Sequence, residues 1–71
     1  MWSNGTIDGY DYWVKRYEEG SVHGIDGGRI SKLTIRKHGD NIDLCNFDRC
    51  WDIEPTDEVK TIYNQLIRQY N

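Results

Sequence analysis

Thr56-Asp57-Glu58-Val59-Lys60-Thr61-Ile62-Tyr63-Asn64-Gln65-Leu66-Ile67-Arg68-Gln69-Tyr70 is the stretch on which the fold turns. Val59, Ile62, Tyr63, Leu66, Ile67 and Tyr70 recur at intervals of three and four, which gathers them onto one stripe of an α-helix. Pro55 precedes the stretch and Thr56 is a good N-cap. Asp57 and Glu58 put negative charge in the first turn, where the helix dipole favours it. A helix with one apolar stripe must bury it against something, and the rest of the chain reads as strands.

Working back from the helix, Ile42-Asp43-Leu44-Cys45-Asn46-Phe47 reads as a strand, with Ile42 and Leu44 on one side and Cys45 and Phe47 on the other. It leads into Trp51, Ile53 and Pro55. His38-Gly39-Asp40-Asn41 is a turn, and before it Arg29 to Lys37 forms a strand with Leu33 and Ile35 inside and Lys32, Thr34 and Arg36 outside. Glu18 to Gly28 holds Gly20, Gly24, Gly27 and Gly28, a glycine density that regular elements do not tolerate, and is the longest loop. Asp8-Gly9 is the centre of a hairpin. In its second strand Tyr10, Tyr12 and Val14 share one face, and Trp13, Lys15 and Tyr17 the other. The sum is an α+β domain, a four-stranded antiparallel β-meander with one C-terminal helix on a face, in the order ββββα.

Length and composition fix the rest of the frame. At 71 residues the chain is a single domain spanning 1–71, and a core of that size supplies only about 3–5 kcal/mol net, so a metal, a tight partner or self-association would be a useful supplement. With 37% hydrophobic residues and a single proline the composition is that of a folding chain. No apolar run approaches the roughly 18 residues that cross a bilayer, and Met1-Trp2-Ser3-Asn4 has none of the regions of a signal peptide, so the expected location is the cytosol. A formal charge of −3 argues against general nucleic-acid binding.

His23, His38, Cys45 and Cys50 are all the histidines and cysteines present, and they match the ligand types of a tetrahedral structural Zn²⁺ site. Their spacing is not that of a standard finger. An extended strand would hold Cys45 and Cys50 about 16 Å apart, so a shared ion or a disulfide requires a bend at Asn46-Phe47-Asp48-Arg49. A disulfide and two ordinary thiols with solvated histidines are the other readings of the same four residues. Asp43 or Asp48 could replace a histidine as ligand.

Asp48, Asp52, Glu54, Asp57 and Glu58 crowd into one stretch opposed only by Arg49, either as a surface for a basic partner or as a solvated rim. Arg29, Lys32, Arg36 and Lys37 form a basic stretch, either a phosphate contact or the charged outer side of a strand. Trp2, Tyr10, Tyr12, Trp13, Tyr17 and Trp51 exceed what one small core needs, and residues of this type dominate binding hot spots. The surface expected to bind a partner comprises Trp2, Tyr12, Trp13, Asp48, Asp52 and Glu54. Gly27-Gly28 is not a phosphate loop, and no serine or cysteine has an assignable base, so no catalysis is expected.

Asp8-Gly9-Tyr10, Tyr17-Glu18-Glu19-Gly20-Ser21, Gly24-Ile25-Asp26-Gly27-Gly28-Arg29-Ile30-Ser31-Lys32-Leu33, Phe47-Asp48-Arg49 and Trp51-Asp52-Ile53-Glu54-Pro55-Thr56 together resemble a family of small proteins encoded by phages and prophages of Gram-positive bacteria. Nearly the whole chain takes part. Cys45 and Cys50 depart from the pattern, the second standing where a glycine precedes the tryptophan, so a metal site would be peculiar to one branch. The resemblance implies an accessory phage gene, of a kind that often encodes inhibitors of host defence. In length, acidity and lack of catalytic groups the chain is similar to anti-CRISPR proteins that bind Cas9 and block target DNA loading or cleavage. The alternative expectation is a zinc-stabilised regulatory module that contacts nucleic acid through Arg29, Lys32, Arg36 and Lys37.

Overall fold

The computed structural model describes residues 1–71 and consists of five strands, β1 (Trp2–Ile7), β2 (Tyr10–Arg16), β3 (Ile30–Lys37), β4 (Asp43–Asp48) and β5 (Trp51–Ile53), followed by helix α1 (Lys60–Tyr70). The strands form one antiparallel meander in chain order. The α+β class and the C-terminal helix are as the sequence predicts; the strand count is five, not four. The fifth strand, three residues long, carries no glycine or Asn-Gly signal in the turn before it. Arg49 takes the left-handed position there at φ +65, and the Asp48 N–H donates to the Cys50 carbonyl at 3.0 Å. A bulky residue in that conformation is uncommon, so the turn is invisible to a reading based on residue preferences.

The first hairpin follows directly from its residues. Asp8 and Gly9 have φ +51 and +84, the two positive angles that a two-residue turn needs to match the twist of its strands. Alternation then sorts β2 and β3. Val14 pairs with Leu33 and Tyr12 with Ile35 on the inner side, while Trp13 pairs with Thr34 and Lys15 with Lys32 on the outer side. In β4 the expected alternation breaks at Leu44. A bulge opposite Ile35 and Arg36 lets Leu44 pack on the core beside Cys45, and Asp43 turns to the outer side to face Arg36.

The helix and the short turn before it cover the inner face with Val59, Ile62 and Leu66 inside and Tyr63, Ile67 and Tyr70 at the margin, the stripe read from the sequence. They meet Tyr12, Val14, Leu33, Ile35, Cys45 and Phe47. Thr56 opens a short 3-10 turn, Asp57–Val59, rather than α1 itself, and makes no side-chain capping bond. That turn is held instead by Tyr10 Oη donating to Glu58 Oε2 at 2.5 Å and the Thr56 N–H donating to the Leu44 carbonyl.

The glycine-rich loop is closed rather than loose. Ile25 plugs the core at 1% exposure, and the side chain of Asn71 accepts from the Ile30 N–H at 3.0 Å and donates to the Ile25 carbonyl at 3.2 Å. A Cβ on Gly28 would fall 2.3 Å from Asn71, so only glycine admits the amide. Gly5 answers the same need in β1, because the Tyr12 ring lies across it and a Cβ there would sit 2.9 Å from the phenol oxygen.

Candidate interaction face of the sheet

One face of the sheet is covered by α1 and the other has no layer above it. Cross-strand register lays the uncovered side out in rows. Trp2, Lys15, Lys32 and Asp48 make one; Asn4, Trp13, Thr34 and Asn46 the next; Thr6, Asp11, Arg36 and Asp43 the third. Aromatic groups therefore lie over β1 and β2, cations over β2 and β3, and acids over β4 and β5, with Asp11 on β2 apart from them.

The polar groups are tied to one another. Thr34 Oγ1 donates to Asn46 Oδ1, and Asn46 Nδ2 donates to Asp52 Oδ2, each at 3.3 Å. Arg36 Nε meets Asp43 Oδ1 at 2.6 Å while its guanidinium lies over the Trp13 ring, 5.4 Å from the centroid. Lys32 Nζ stands 3.8 Å from Asp48 Oδ1. The Asp11 carboxylate accepts from Thr6 Oγ1 at 2.7 Å and lies 3.0 Å from His38 Nδ1, and these two hydrogen bonds hold its pKa below the usual carboxylate range.

Lys15 is the exception. It has no acidic partner, sits directly across from Lys32, and its ammonium lies 5.9 Å from the Trp2 ring and 5.6 Å from Tyr17. Like charges in direct cross-strand register cost stability, and the rings offset only part of that cost. Lys15, Tyr17, Ser31, Lys32, Asp48 and Arg49 line a hollow of 410 Å³ beside this pair. A second hollow, of 230 Å³, opens between Trp2, Trp13, Thr34 and Arg36.

Of the residues expected to bind a partner, Trp2, Trp13, Asp48 and Asp52 share this side, and Glu54 is exposed just beyond β5. Tyr12 does not belong with them. It points to the covered face, 9% exposed, with its hydroxyl 3.4 Å from that of Tyr70. Tyr17, one of the surplus aromatics, and Lys15 also lie beside Trp13, as alternation predicts; the Lys15–Lys32 register is what the sequence does not print. The four basic residues expected to meet nucleic acid do not form one patch. Lys32 and Arg36 are each paired with an acid, Arg29 lines a separate hollow with Met1, Arg16, Tyr17 and Glu18, and Lys37 is the last residue of β3.

The zinc set is not assembled. Cys45 is in the core, Cys50 is exposed in the β4–β5 turn, His23 is exposed in the glycine loop and His38 faces Asp11. No three His, Cys, Asp or Glu side chains gather as a metal group would require, and both thiols are free. Burial, with a smaller contribution from Asp43, pushes the Cys45 thiol up to about 12, whereas a ligand must be the thiolate.

A five-stranded meander with one face under a helix and the other open defines a small two-layer α+β domain. The chain belongs to a domain family of unknown function, described as Domain of unknown function (DUF7678), whose model matches residues 1–71. No curated protein and no solved structure matches it.

Proposed function

We propose that this protein is a non-catalytic binding module whose uncovered sheet face captures another protein. The observation that carries the reading is the Lys15–Lys32 pair, in direct cross-strand register with Lys15 over the rings of Trp2 and Tyr17, on a face with nothing above it. A pairing that weakens the fold without serving it is what a binding site leaves behind in an unbound chain. Trp2 and Trp13 supply rigid aromatic area, and Trp2 is 57% exposed.

The distribution of charge favours a protein over a nucleic acid. Lys15, Lys32 and Arg36 share the face with Asp11, Asp43, Asp48 and Asp52, so the surface is polarised rather than basic. A uniformly anionic strand laid across it would meet repulsion at β4 and β5, whereas a partner of opposite polarity would be complementary along its whole width. The likeness to small phage proteins supplies the first partner to try, the host defence nuclease Cas9, whose inhibition would then be steric.

The test is immobilised Cas9 exposed to the wild-type chain and to Trp13→Ala and Lys15→Glu. Retention of the wild type, weakened at least about 30-fold in Trp13→Ala as expected of a central aromatic anchor, supports the reading. Retention that both substitutions leave unchanged moves binding off this face. If the isolated chain instead retains single-stranded RNA or DNA in a manner that falls steeply with salt and depends on Lys15 and Lys32, the partner is a nucleic acid.

A further inference from the structure

The two edges of the sheet are built differently. β5 is three residues long, carries Asp52, pairs through a bulge and runs on toward Pro55, all features that stop a sheet from growing. β1 has none of them. Trp2-Ser3-Asn4-Gly5-Thr6-Ile7 contains no charge and no proline, and its six residues pair with β2 without a bulge. A long, flat, uncharged edge is the kind that natural sheets avoid unless it is used.

The hydrogen bonds show which groups face outward. Met1 and Arg16 exchange both backbone bonds, each at 2.9 Å. In an antiparallel pair such bonded positions alternate, so Ser3, Gly5 and Ile7 bond to β2 while Trp2, Asn4 and Thr6 direct N–H and C=O to the open edge. Those three residues are also the exposed ones of the strand. They are spaced symmetrically about Asn4.

We infer that β1 pairs antiparallel with β1 of a second copy of this chain across a two-fold axis at Asn4, joining two sheets edge to edge. Asn4 then exchanges both backbone bonds with its own counterpart, and Trp2 does so with Thr6 of the other copy in each direction, which satisfies every outward group of the strand. A register centred on Gly5 would set Trp2 opposite Asp8 of the turn and leave the outward groups of Trp2 unpaired. The partner is a second copy because the strand is self-complementary in this register. Asn4 meets Asn4 through side-chain amides that both donate and accept, Ser3 meets Gly5 on the inner side, and no charges oppose each other at the seam of an acidic protein, formal charge −3. An axis perpendicular to the sheet keeps both uncovered faces on one side, so Trp2 and Trp13 of the two copies become one continuous aromatic surface. This pairing is independent of the binding proposed for the face.

The test is sedimentation of the intact chain together with amide hydrogen exchange, each from about 10 μM to about 1 mM. The expected mass rises with concentration toward twice the 8.4 kDa of one chain. Over the same range the amides of Trp2, Asn4 and Thr6 gain protection, while those of Ser3 and Gly5 are protected throughout. Asn4→Pro, which removes an outward N–H at an edge position where proline is tolerated, and Asn4→Lys, which sets two ammonium groups against each other, each weaken the dimer at least about tenfold, with far-UV circular dichroism unchanged. A chain that stays monomeric throughout, or a dimer in which the amides of Trp2, Asn4 and Thr6 exchange freely, overturns the inference. The exchange measurement stands even if both variants fail to fold.

Discussion

The two faces of β2 and β3 carry side chains of similar size, and only one of them is closed. On the inner side Tyr12, Val14, Leu33 and Ile35 are between 0% and 9% exposed under the helix. On the outer side Trp13 and Thr34, their neighbours in sequence, are only half-buried, among side chains of the same face such as Trp2, Arg36 and Asn46. Aromatic residues are therefore present on both faces for different reasons. Inside, Phe47, Trp51 and Tyr63 stack edge to ring at 5.0 and 5.7 Å and their contribution is packing. Outside, Trp2 and Trp13 hold cations over their rings and leave the rest of their area to solvent.

The comparison breaks most sharply in the core. Leu33→Ala should cost about 2–5 kcal/mol in urea denaturation, because Leu33 is 0% exposed and its removal leaves a cavity between sheet and helix. A loss as small as that of a surface substitution would mean that the helix is not seated on this face.

The thiols sharpen the same contrast. Cys45 lies in the core and Cys50 in solvent, so brief iodoacetamide treatment at pH 8 should modify one thiol per native chain, mapped to Cys50 by mass spectrometry, and both in denaturant. Burial raises the Cys45 pKa from its ordinary 9.0 to about 12. The folded chain thus keeps a proton that the unfolded chain releases, and stability should fall as pH rises through that window. Tyr10, Tyr12 and Tyr63, raised by a hydrogen bond to Glu58, a hydrogen bond to Tyr70 and burial respectively, push the alkaline limb in the same direction.

The smallest effect belongs to the open face. Lys32→Gln should change stability by no more than about 1 kcal/mol, since its pair with Asp48 spans 3.8 Å between exposed side chains and its removal also relieves the repulsion from Lys15. A gain in stability, read from the denaturation midpoint, would sharpen the case that the Lys15–Lys32 pair is kept for binding.

Read residue by residue, the local elements were largely legible and their meeting points were not. The stripe from Val59 to Tyr70, the Asp8-Gly9 turn and the alternation of β2 and β3 follow from periodicity and positive-φ preference, which are properties of neighbouring residues. The fifth strand is not legible because Arg49 occupies a left-handed turn position without glycine. Alternation puts Leu44 on the wrong face because a bulge in the β3–β4 ladder shifts the period by one residue. Of the candidate site, residue type picks out Trp2, Trp13, Asp48 and Asp52, which share the open face, and equally Tyr12, whose own parity places it with Val14. Bringing His23, His38, Cys45 and Cys50 together depended on chain geometry that residue types do not specify.

The sequence by itself determined that there is a helix, that strands precede it, and which residues along each strand lie on the same side. Only the tertiary structure decided that Lys15 stands opposite Lys32, that Asn71 closes the glycine loop through Gly28, and that Trp2, Asn4 and Thr6 turn their backbone groups to an open edge. The physical reason is range. Helical and strand periods are set by steric contacts within a few residues, whereas register is fixed by turns, bulges and burial summed over strands far apart in the chain.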